Sequence, residues 1–160
     1  MSKLTHFDET GKAVMVDIGE KVETRRRAVA SARVLLNAET IAAIKNNQTP
    51  KGNPLEIARI AGIMAAKRTA DLIPLCHQID LSKVEIRAEL TDYGVSLESE
   101  AATTGQTGVE MEALTAVSVA ALTVYDMCKA LDKTITITDV RLEAKTGGKS
   151  GDFERRKMED

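Results

Sequence analysis

The stretch from Thr107 to Leu131 constrains the fold most, because it reads as one long helix beginning near Val109. Alanine, leucine and methionine are frequent in it, and neither Gly nor Pro follows Gly108. Thr107 is placed to cap the helix, with Glu110 three residues later in the capping-box position. Helical spacing predicts a core-facing stripe of six side chains: Met111, Leu114, Ser118, Ala121, Tyr125 and Cys128.

Charged residues at both ends of this helix are candidate functional groups. Glu110 and Glu112 lie at its start, and Asp126 and Lys129 are i, i+3 neighbours near its end. At a rise of 1.5 Å per residue, Glu112 and Asp126 are about 21 Å apart along the axis. One small substrate does not reach both ends in a single chain. We therefore hypothesise an oligomer with active sites at subunit interfaces.

Composition excludes several classes of protein. The chain has 160 residues, 43% apolar, with a net charge of −2, which suits one globular domain. Near-neutral charge and 2% aromatic residues argue against a nucleic-acid-binding protein. The apolar stretches are short for a membrane span, and the N-terminus lacks the apolar core of a signal peptide. Cys76 and Cys128 form neither a disulfide framework nor a zinc motif, so we expect a cytoplasmic protein without membrane partners.

Hydrophobic patterns along the chain predict an α+β fold with an antiparallel sheet. Strands are expected over residues 13–18, after Arg27, over 83–90 and 93–101 as a hairpin, and over 134–145. Helices are expected over residues 38–46 and, behind the N-cap Asn53, over 54–70. With no repeat and no internal boundary, residues 1–160 are expected to form one domain, with 1–12 and 153–160 mobile.

The charged residues of the long helix each have two interpretations. Asp126 and Lys129 are either an exposed ion pair or a general acid–base pair, in which the lysine titrates nearer neutrality beside the carboxylate. Glu110 and Glu112 either stabilise the helix N-terminus or accept hydrogen bonds from an amidine-like edge, such as that of a guanine ring.

Cys76 and His77 lie in an irregular apolar segment. A cysteine in this setting is more typical of a small buried side chain than of a nucleophile, whereas His77 suits hydrogen bonding or a phosphate contact. His6, His77 and two separated thiols are too few for a metal site.

Residues 147–151, Gly-Gly-Lys-Ser-Gly, resemble the end of a P-loop, but the first glycine of that motif would fall at Glu143. This argues against Walker-type nucleotide hydrolysis. The loop can still bind anions through backbone N–H groups, with charge from Lys145 and Lys149. Lys51 and Lys67 are either solvated or phosphate contacts, and Lys51 lies just before a helix N-terminus, where a phosphate would bind.

Several motifs, taken together, resemble one family. They are residues 61–67, 73–77, 107–116, 125–130 and 147–153, with Thr5-His6 and residues 15–17 at the start. The chain resembles the cyclic pyranopterin monophosphate synthase (MoaC) family of molybdenum cofactor biosynthesis over essentially its whole length. It departs from the family pattern at Gln78, where Pro is usual, and at Gln106, where Lys is usual. Gln106 is therefore not counted among the phosphate contacts.

The resemblance implies a ferredoxin-like fold, with the sheet packed against helices. It also implies a homohexamer, a trimer of dimers, with sites between subunits. The implied activity is a lyase converting 3',8-cyclo-7,8-dihydroguanosine 5'-triphosphate to cyclic pyranopterin monophosphate and diphosphate. No cofactor is required, although Mg²⁺ can accompany the triphosphate. The alternative is a non-catalytic, oligomeric purine-nucleotide-binding protein, which would not need Asp126 and Lys129 for turnover.

The resemblance also implies roles for individual residues. By motif match, Asp126 and Lys129 would be the acid–base pair. Six residues would line the substrate: Leu75, Cys76, His77, Glu110, Met111 and Glu112. Three lysines, which act as point charges toward phosphate, are the candidates for holding the triphosphate: Lys51, Lys67 and Lys145.

Overall fold

The computed structural model describes residues 7–155, in which one antiparallel sheet is packed against helices. The strands are β1 (Thr24–Leu35), β2 (Lys83–Thr91), β3 (Gly94–Gly105), β4 (Thr136–Thr146) and β5 (Phe153–Glu154). The helices are α1 (Ala38–Lys45), α2 (Pro54–Ala66), α3 (Thr69–Leu72) and α4 (Glu110–Cys128). The strand order is β2-β3-β1-β4-β5. The predicted α+β class is confirmed, and the element order is compatible with a ferredoxin-like arrangement.

The predicted hairpin is formed by β2 and β3, and it turns tightly against β1. Gly94 begins β3 at a φ of +137°, and a Cβ at this position would lie 2.1 Å from the backbone oxygen of Val34. Only glycine combines that backbone conformation with so close an approach. Strand β1 pairs antiparallel with β3 on one side and β4 on the other. The turn therefore places the hairpin beside the central strand.

The core lies between one face of the sheet and the helices α2 and α4, and small side chains bring these layers close together. Alternate residues of β1 face it, as the period of a strand requires: Ala28, Ala30, Ala32 and Val34. At Gly62 of α2, a Cβ would lie 3.0 Å from the backbone oxygen of Ala116 on α4. The glycine thus permits α2 and α4 to pack almost backbone to backbone.

The buried face of α4 differs from the predicted stripe. Ala121 and Cys128 are fully buried as expected, but Met111 and Tyr125 are 37% and 38% exposed. The core side is built instead from smaller residues: Ala113, Ala116, Val117, Ala120 and Val124. Close approach to the sheet and to α2 selects small side chains, so the larger ones lie toward the rim.

Three local predictions are wrong. Val109 is the N-cap of α4 and no side-chain hydrogen bond caps this helix, so Thr107 lies two residues before the cap position. Residues 13–18 form no strand. They make only an isolated bridge from Ala13 to Phe7 and do not pair with the sheet. Helix α2 ends at Ala66, where the chain tightens into a turn before α3.

The outer face of the sheet carries rows of paired charges, as expected for an antiparallel sheet with one solvated face. Glu100 on β3 lies 2.7 Å from Arg27 on β1 and 3.0 Å from Lys83 on β2. Arg87 lies 2.9 Å from Glu98. Hydrogen bonding from Arg27, and then from Lys83, overcomes burial and lowers the pKa of Glu100 to about 2. Ion pairs thus link three neighbouring strands.

The mobility predicted for residues 1–12 and 153–160 stays a prediction. In these segments the structure describes a bridge between Phe7 and Ala13 and the pairing of Phe153 and Glu154 with β4. Residues 1–6 and 156–160 lie outside the described part.

By length and composition alone, helix α4 is long and apolar enough to cross a membrane. This differs from the expectation that every apolar stretch is too short to do so. Half of that stretch is buried inside the protein. Its alanine and valine face packs on the sheet, which is the environment of a core helix.

Candidate active site

The C-terminal end of α4 carries a cluster of three charged side chains, here called the Asp126 cluster: Lys51, Asp126 and Lys129. Lys51 Nζ lies 2.7 Å from Asp126 Oδ2, and Lys129 Nζ lies 2.8 Å from Asp126 Oδ1. Lys51 also donates to the backbone oxygen of Asp126 at 3.2 Å. The structure therefore places Lys51 with the predicted acid–base pair, apart from Lys67 and Lys145.

A tight turn before α2 presents Lys51 to this cluster. The hydroxyl of Thr49 donates to the backbone oxygen of Gly52, and the Gly52 N–H donates back to the Thr49 oxygen at 3.2 Å. Asn53 then caps α2 by accepting hydrogen bonds from the first backbone N–H groups of the helix. Both ends of the turn are thus tied down, with Lys51 near its apex.

Asp126 and Lys129 are both ionised at neutral pH. Lys129, and then Lys51, lowers the pKa of Asp126 to about 2 by hydrogen bonding. Asp126 in turn raises the pKa of Lys129. The interpretation in which Lys129 titrates nearer neutrality requires a desolvated side chain, whereas in the isolated chain this side chain is half exposed and paired.

The opposite end of α4 borders a cavity of about 520 Å³, here called the glutamate cavity. It brings together all six residues expected to line the substrate: Leu75, Cys76, His77, Glu110, Met111 and Glu112. Residues of the N-terminal segment, Val16, Ile18 and Lys21, form a further part of its wall. The irregular segment after α3 and the first turn of α4 therefore meet in one place.

Glu112 is the distinctive group of this cavity. Glu112 is only 3% exposed, and its Oε2 has no hydrogen-bond partner among the described residues. Burial, with a smaller contribution from the charge of Glu110, raises the pKa of Glu112 to about 6. Buried carboxylate oxygens without partners are uncommon, and a ligand with N–H donors would satisfy this one.

The two other polar residues of the segment, Cys76 and His77, have different environments. Burial, and then the charge of Glu112, raises the pKa of the Cys76 thiol, which disfavours the nucleophilic thiolate. His77 Nε2 lies 2.7 Å from the backbone oxygen of Val16. A carbonyl only accepts hydrogen bonds, so Nε2 carries the hydrogen and Nδ1 remains for a ligand.

A second cavity of about 520 Å³, here called the anion cavity, adjoins the first. The two share four lining residues: Lys21, Thr107, Gly108 and Glu110. The anion cavity also holds Arg26, Lys145 and Lys149 beside the glycine-rich loop 147–151. Lys145 Nζ lies 2.9 Å from Glu110 Oε1 and 3.1 Å from Ser150 Oγ. Four cations therefore line the cavity, one of them anchored between the helix start and the loop.

The sequence analysis missed two of these cations, Lys21 and Arg26. Arg26 is held firmly, since its Nε donates to the Gly105 oxygen at 2.9 Å and its Nη2 to the Gln106 oxygen at 3.2 Å. A Cβ at Gly148 would lie 2.2 Å from Arg26 Nη1, so the loop passes directly over the guanidinium. The sequence feature that could have identified Arg26 is the run of three arginines on a strand. Because side chains alternate between the two faces of a strand, the middle arginine lies on the face opposite its neighbours.

Lys67 lies apart from the other candidates. It lines a third cavity, of about 470 Å³, together with Ser82 and Lys83, and this cavity touches the glutamate cavity only through Ile79. The structure therefore does not bring Lys51, Lys67 and Lys145 to one place. Among residues 7–155, no three His, Cys, Asp or Glu side chains are grouped to hold a metal ion.

The regions of this chain that match known proteins include both ends of α4. The model of the MoaC family matches residues 15–148. The chain is 57% identical over 157 residues to the cyclic pyranopterin monophosphate synthase of Heliobacterium modesticaldum, covering 97% of this chain and 99% of that one. It is 58% identical over 156 residues to that of Cereibacter sphaeroides, covering 96% and 98%. With the synthase of Streptomyces griseus it shares 58% over 154 residues, covering 96% and 87%.

Proposed function

Because this chain belongs to the MoaC family, we propose that it catalyses the reaction after which its relatives are named. We further propose that residues at the two ends of α4 carry out different parts of this reaction. The activity is that of a cyclic pyranopterin monophosphate synthase, a lyase of molybdenum cofactor biosynthesis. Its substrate is a cyclised dihydroguanosine triphosphate, and its products are cyclic pyranopterin monophosphate and diphosphate. The residues assigned below are our proposal.

The glutamate cavity binds the guanine-derived ring. Glu112 supports this assignment, because its buried Oε2 has no hydrogen-bond partner among the described residues and the amidine-like edge of the ring offers N–H donors. Above a pH of about 6, Glu112 is a carboxylate and accepts such hydrogen bonds strongly. Leu75 and Met111 line the same cavity and supply apolar contact to the ring.

The anion cavity binds the triphosphate. Lys21, Arg26, Lys145 and Lys149 provide four positive charges beside the glycine-rich loop 147–151. The two cavities adjoin, which suits a ligand with a ring at one end and phosphates at the other. Any Mg²⁺ would arrive with the triphosphate, and no step assigned to the chain depends on it.

The Asp126 cluster transfers protons. Opening the purine-derived ring and forming the pterin and pyran rings requires a proton acceptor and proton donors near the reacting atoms. Asp126 is a carboxylate at neutral pH and serves as the acceptor, while the ammonium groups of Lys51 and Lys129 serve as donors. Burial against a neighbouring subunit would lower the pKa of Lys129 and make donation easier. The observation that carries the proposal is this cluster, assembled from segments 75 residues apart.

The proposed protein is a cytoplasmic homohexamer, a trimer of dimers, in which a site is completed across a subunit interface. The support is geometric, since the glutamate cavity and the Asp126 cluster lie at opposite ends of one unbroken helix. In an assembly, the C-terminal end of α4 from one chain would meet the cavities of another. We expect Lys129→Ala to lose turnover and keep the oligomeric mass measured by light scattering, whereas dissociation would make Lys129 structural.

The decisive experiment measures diphosphate release from the cyclised dihydroguanosine triphosphate. Asp126→Asn should remain folded, bind the substrate and release little diphosphate. Asp92→Asn, at an exposed residue in the hairpin turn, is the matched control and should behave as the wild type. Equal release by Asp126→Asn and the wild type would place the chemistry elsewhere. Binding without release by the wild type would favour the non-catalytic alternative.

A further inference from the structure

Asp132 joins three elements beside the Asp126 cluster. It lies just after α4, is 2% exposed, and accepts a hydrogen bond at Oδ2 from the backbone N–H of Asn37 at 2.8 Å. Its Oδ1 accepts from the backbone N–H and the hydroxyl of Thr134, each at 2.7 Å. Its own N–H donates to the Cys128 oxygen at 3.1 Å. One carboxylate thus links the end of α4, the start of α1 and the approach to β4.

This carboxylate is buried without a cation. Among the described residues, no Lys, Arg or His side chain forms an ion pair with Asp132, so dipoles alone compensate its charge. Burial raises the pKa of Asp132, and the hydrogen bonds from Thr134 and Asn37 outweigh burial, so that the pKa is below its ordinary value. Charge-assisted hydrogen bonds of this kind hold their donors in a narrower geometry than neutral ones.

One path from Asp132 leads to Lys51. Asn37, held by Asp132, caps α1 by accepting at Oδ1 from the backbone N–H of Thr40 at 2.8 Å. After α1, the N–H of Gln48 donates to the Ala43 oxygen at 2.8 Å, and the turn bearing Lys51 follows at once. The position of this turn therefore depends on the position of α1.

The other path leads to Lys129 and Asp126. The bond from the Asp132 N–H to the Cys128 oxygen closes the last turn of α4, and Lys129 is held in that turn by its own N–H bond to the Tyr125 oxygen at 2.9 Å. The two sides of the Lys51–Asp126 ion pair thus both lead back to Asp132, one through its carboxylate and the other through its backbone N–H.

We propose that Asp132 is a positioning residue, which fixes α1 and the end of α4 against each other so that Lys51 and Lys129 meet Asp126. The proposal rests on the proposed function, since it assigns Asp132 a part in the geometry of the proton-transfer cluster. Asp132 itself is buried and lines none of the three cavities described above.

The first test replaces Asp132 by Asn, which keeps the shape but turns one acceptor into a donor that faces other donors. We expect kcat to fall by about 100-fold with KM nearly unchanged, because displacement of catalytic groups by about 1 Å has effects of this size. Asp92→Asn controls for the chemical change. Leu97→Val, in the core on β3, controls for lost stability. Thr134→Val, which removes only one hydrogen bond, should lower kcat less.

The second test does not depend on activity. The intact oligomer is treated with an acylating reagent, and the labelling rate of Lys51 is followed by mass spectrometry of its peptide. The rate should rise both in Asp132→Asn and in Asp126→Asn, and should stay at the wild-type level in Asp92→Asn and Leu97→Val. Wild-type labelling in both Asp132→Asn and Thr134→Val, or a kcat loss no greater than in Leu97→Val, would overturn the inference. Faster labelling in Asp132→Asn alongside full diphosphate release by Asp126→Asn would support the positioning and remove the catalytic assignment.

Discussion

The ammonium group of Lys51 lies 2.7 Å from Oδ2 of Asp126, although 75 residues separate the two in the chain. Helical spacing alone brings Lys129 to Asp126, and the turn before α2 adds Lys51 as a second cation beside the same carboxylate. In the proposed function, Lys51 therefore takes part in proton transfer and the cations of the anion cavity hold the triphosphate.

Lys51→Ala should lower kcat by about 100-fold or more, a typical contribution of a positioned acid or base, with a smaller effect on KM. Loss of one cation should also raise the pKa of Asp126 toward its ordinary value. Diphosphate release as a function of substrate concentration measures both parameters. Lys45→Ala, at the exposed end of α1, is the matched control. A higher KM at unchanged kcat would return Lys51 to phosphate binding.

Glu112→Gln should stabilise the free protein at pH 7.5 and impair substrate binding. The folded-state pKa of about 6 exceeds the ordinary 4.5, so the stability of the wild type falls as the pH rises from 4.5 through 6 and stays lower above. Removing the charge should restore about 1–2 kcal/mol at pH 7.5 and nothing at pH 4. Urea unfolding at both pH values measures this, with Glu89→Gln as the exposed control. An equal gain at both pH values would contradict the explanation.

Gly148→Ala should weaken the binding of diphosphate and of the triphosphate substrate by about tenfold or more, since one ion-assisted contact contributes at least 1.4 kcal/mol. The new Cβ would lie 2.2 Å from Arg26 Nη1 and would displace either the loop or the guanidinium. Gly151→Ala is the matched control, because Gly151 also has a positive φ but no atom within 4 Å of an added Cβ. Titration calorimetry measures the affinity of each variant for diphosphate. Equal affinities of Gly148→Ala and Gly151→Ala would show that Arg26 does not contribute to anion binding.

Glu100→Gln should destabilise the protein only when Glu100 is ionised. Its folded-state pKa of about 2 lies below the ordinary 4.5, so its contribution is fully present above pH 4.5 and is lost as the pH falls through 2. Because Arg27 and Lys83 are nearly half exposed, solvent screening reduces the effect to about 1 kcal/mol at pH 7. Chemical unfolding across this pH range should show the two proteins converging in acid, and a difference that persists at pH 2 would rule out the ion pairs as its cause.

Much of the fold could be predicted because local patterns encode it. Alternation marked β2 and β3, the caps at Asn37 and Asn53 have side chains suited to their place, and the apolar run 109–131 contained α4. What failed depended on tertiary contacts. Thr107 does not cap α4, which begins at Glu110 behind the N-cap Val109, and the Glu110 side chain pairs with Lys145, which is distant in sequence. The buried face of α4 depends on how closely the sheet and α2 approach it, which spacing within one helix does not specify.

The candidate site was predictable as a set of residues and not as an arrangement. The motifs that resemble the family implied the six residues that the glutamate cavity brings together, whereas the chemistry of the residues alone left their roles open. They did not separate Lys51, Lys67 and Lys145 into three places, since no local signal states which segments meet. Arg26 was missed for a related reason, because its role follows from a strand face and a loop 122 positions later.

Strand β2 forms one end of the sheet, and its solvated face bears charges of alternating sign at Lys83, Glu85, Arg87 and Glu89. A long end strand is a template for adding further strands from other copies, which leads to fibrous aggregates. Here a second sheet approaching this edge would have to dehydrate lysine and arginine side chains already engaged with carboxylates. The ion pairs that link the strands of one molecule thereby also discourage open-ended growth from sheet to sheet.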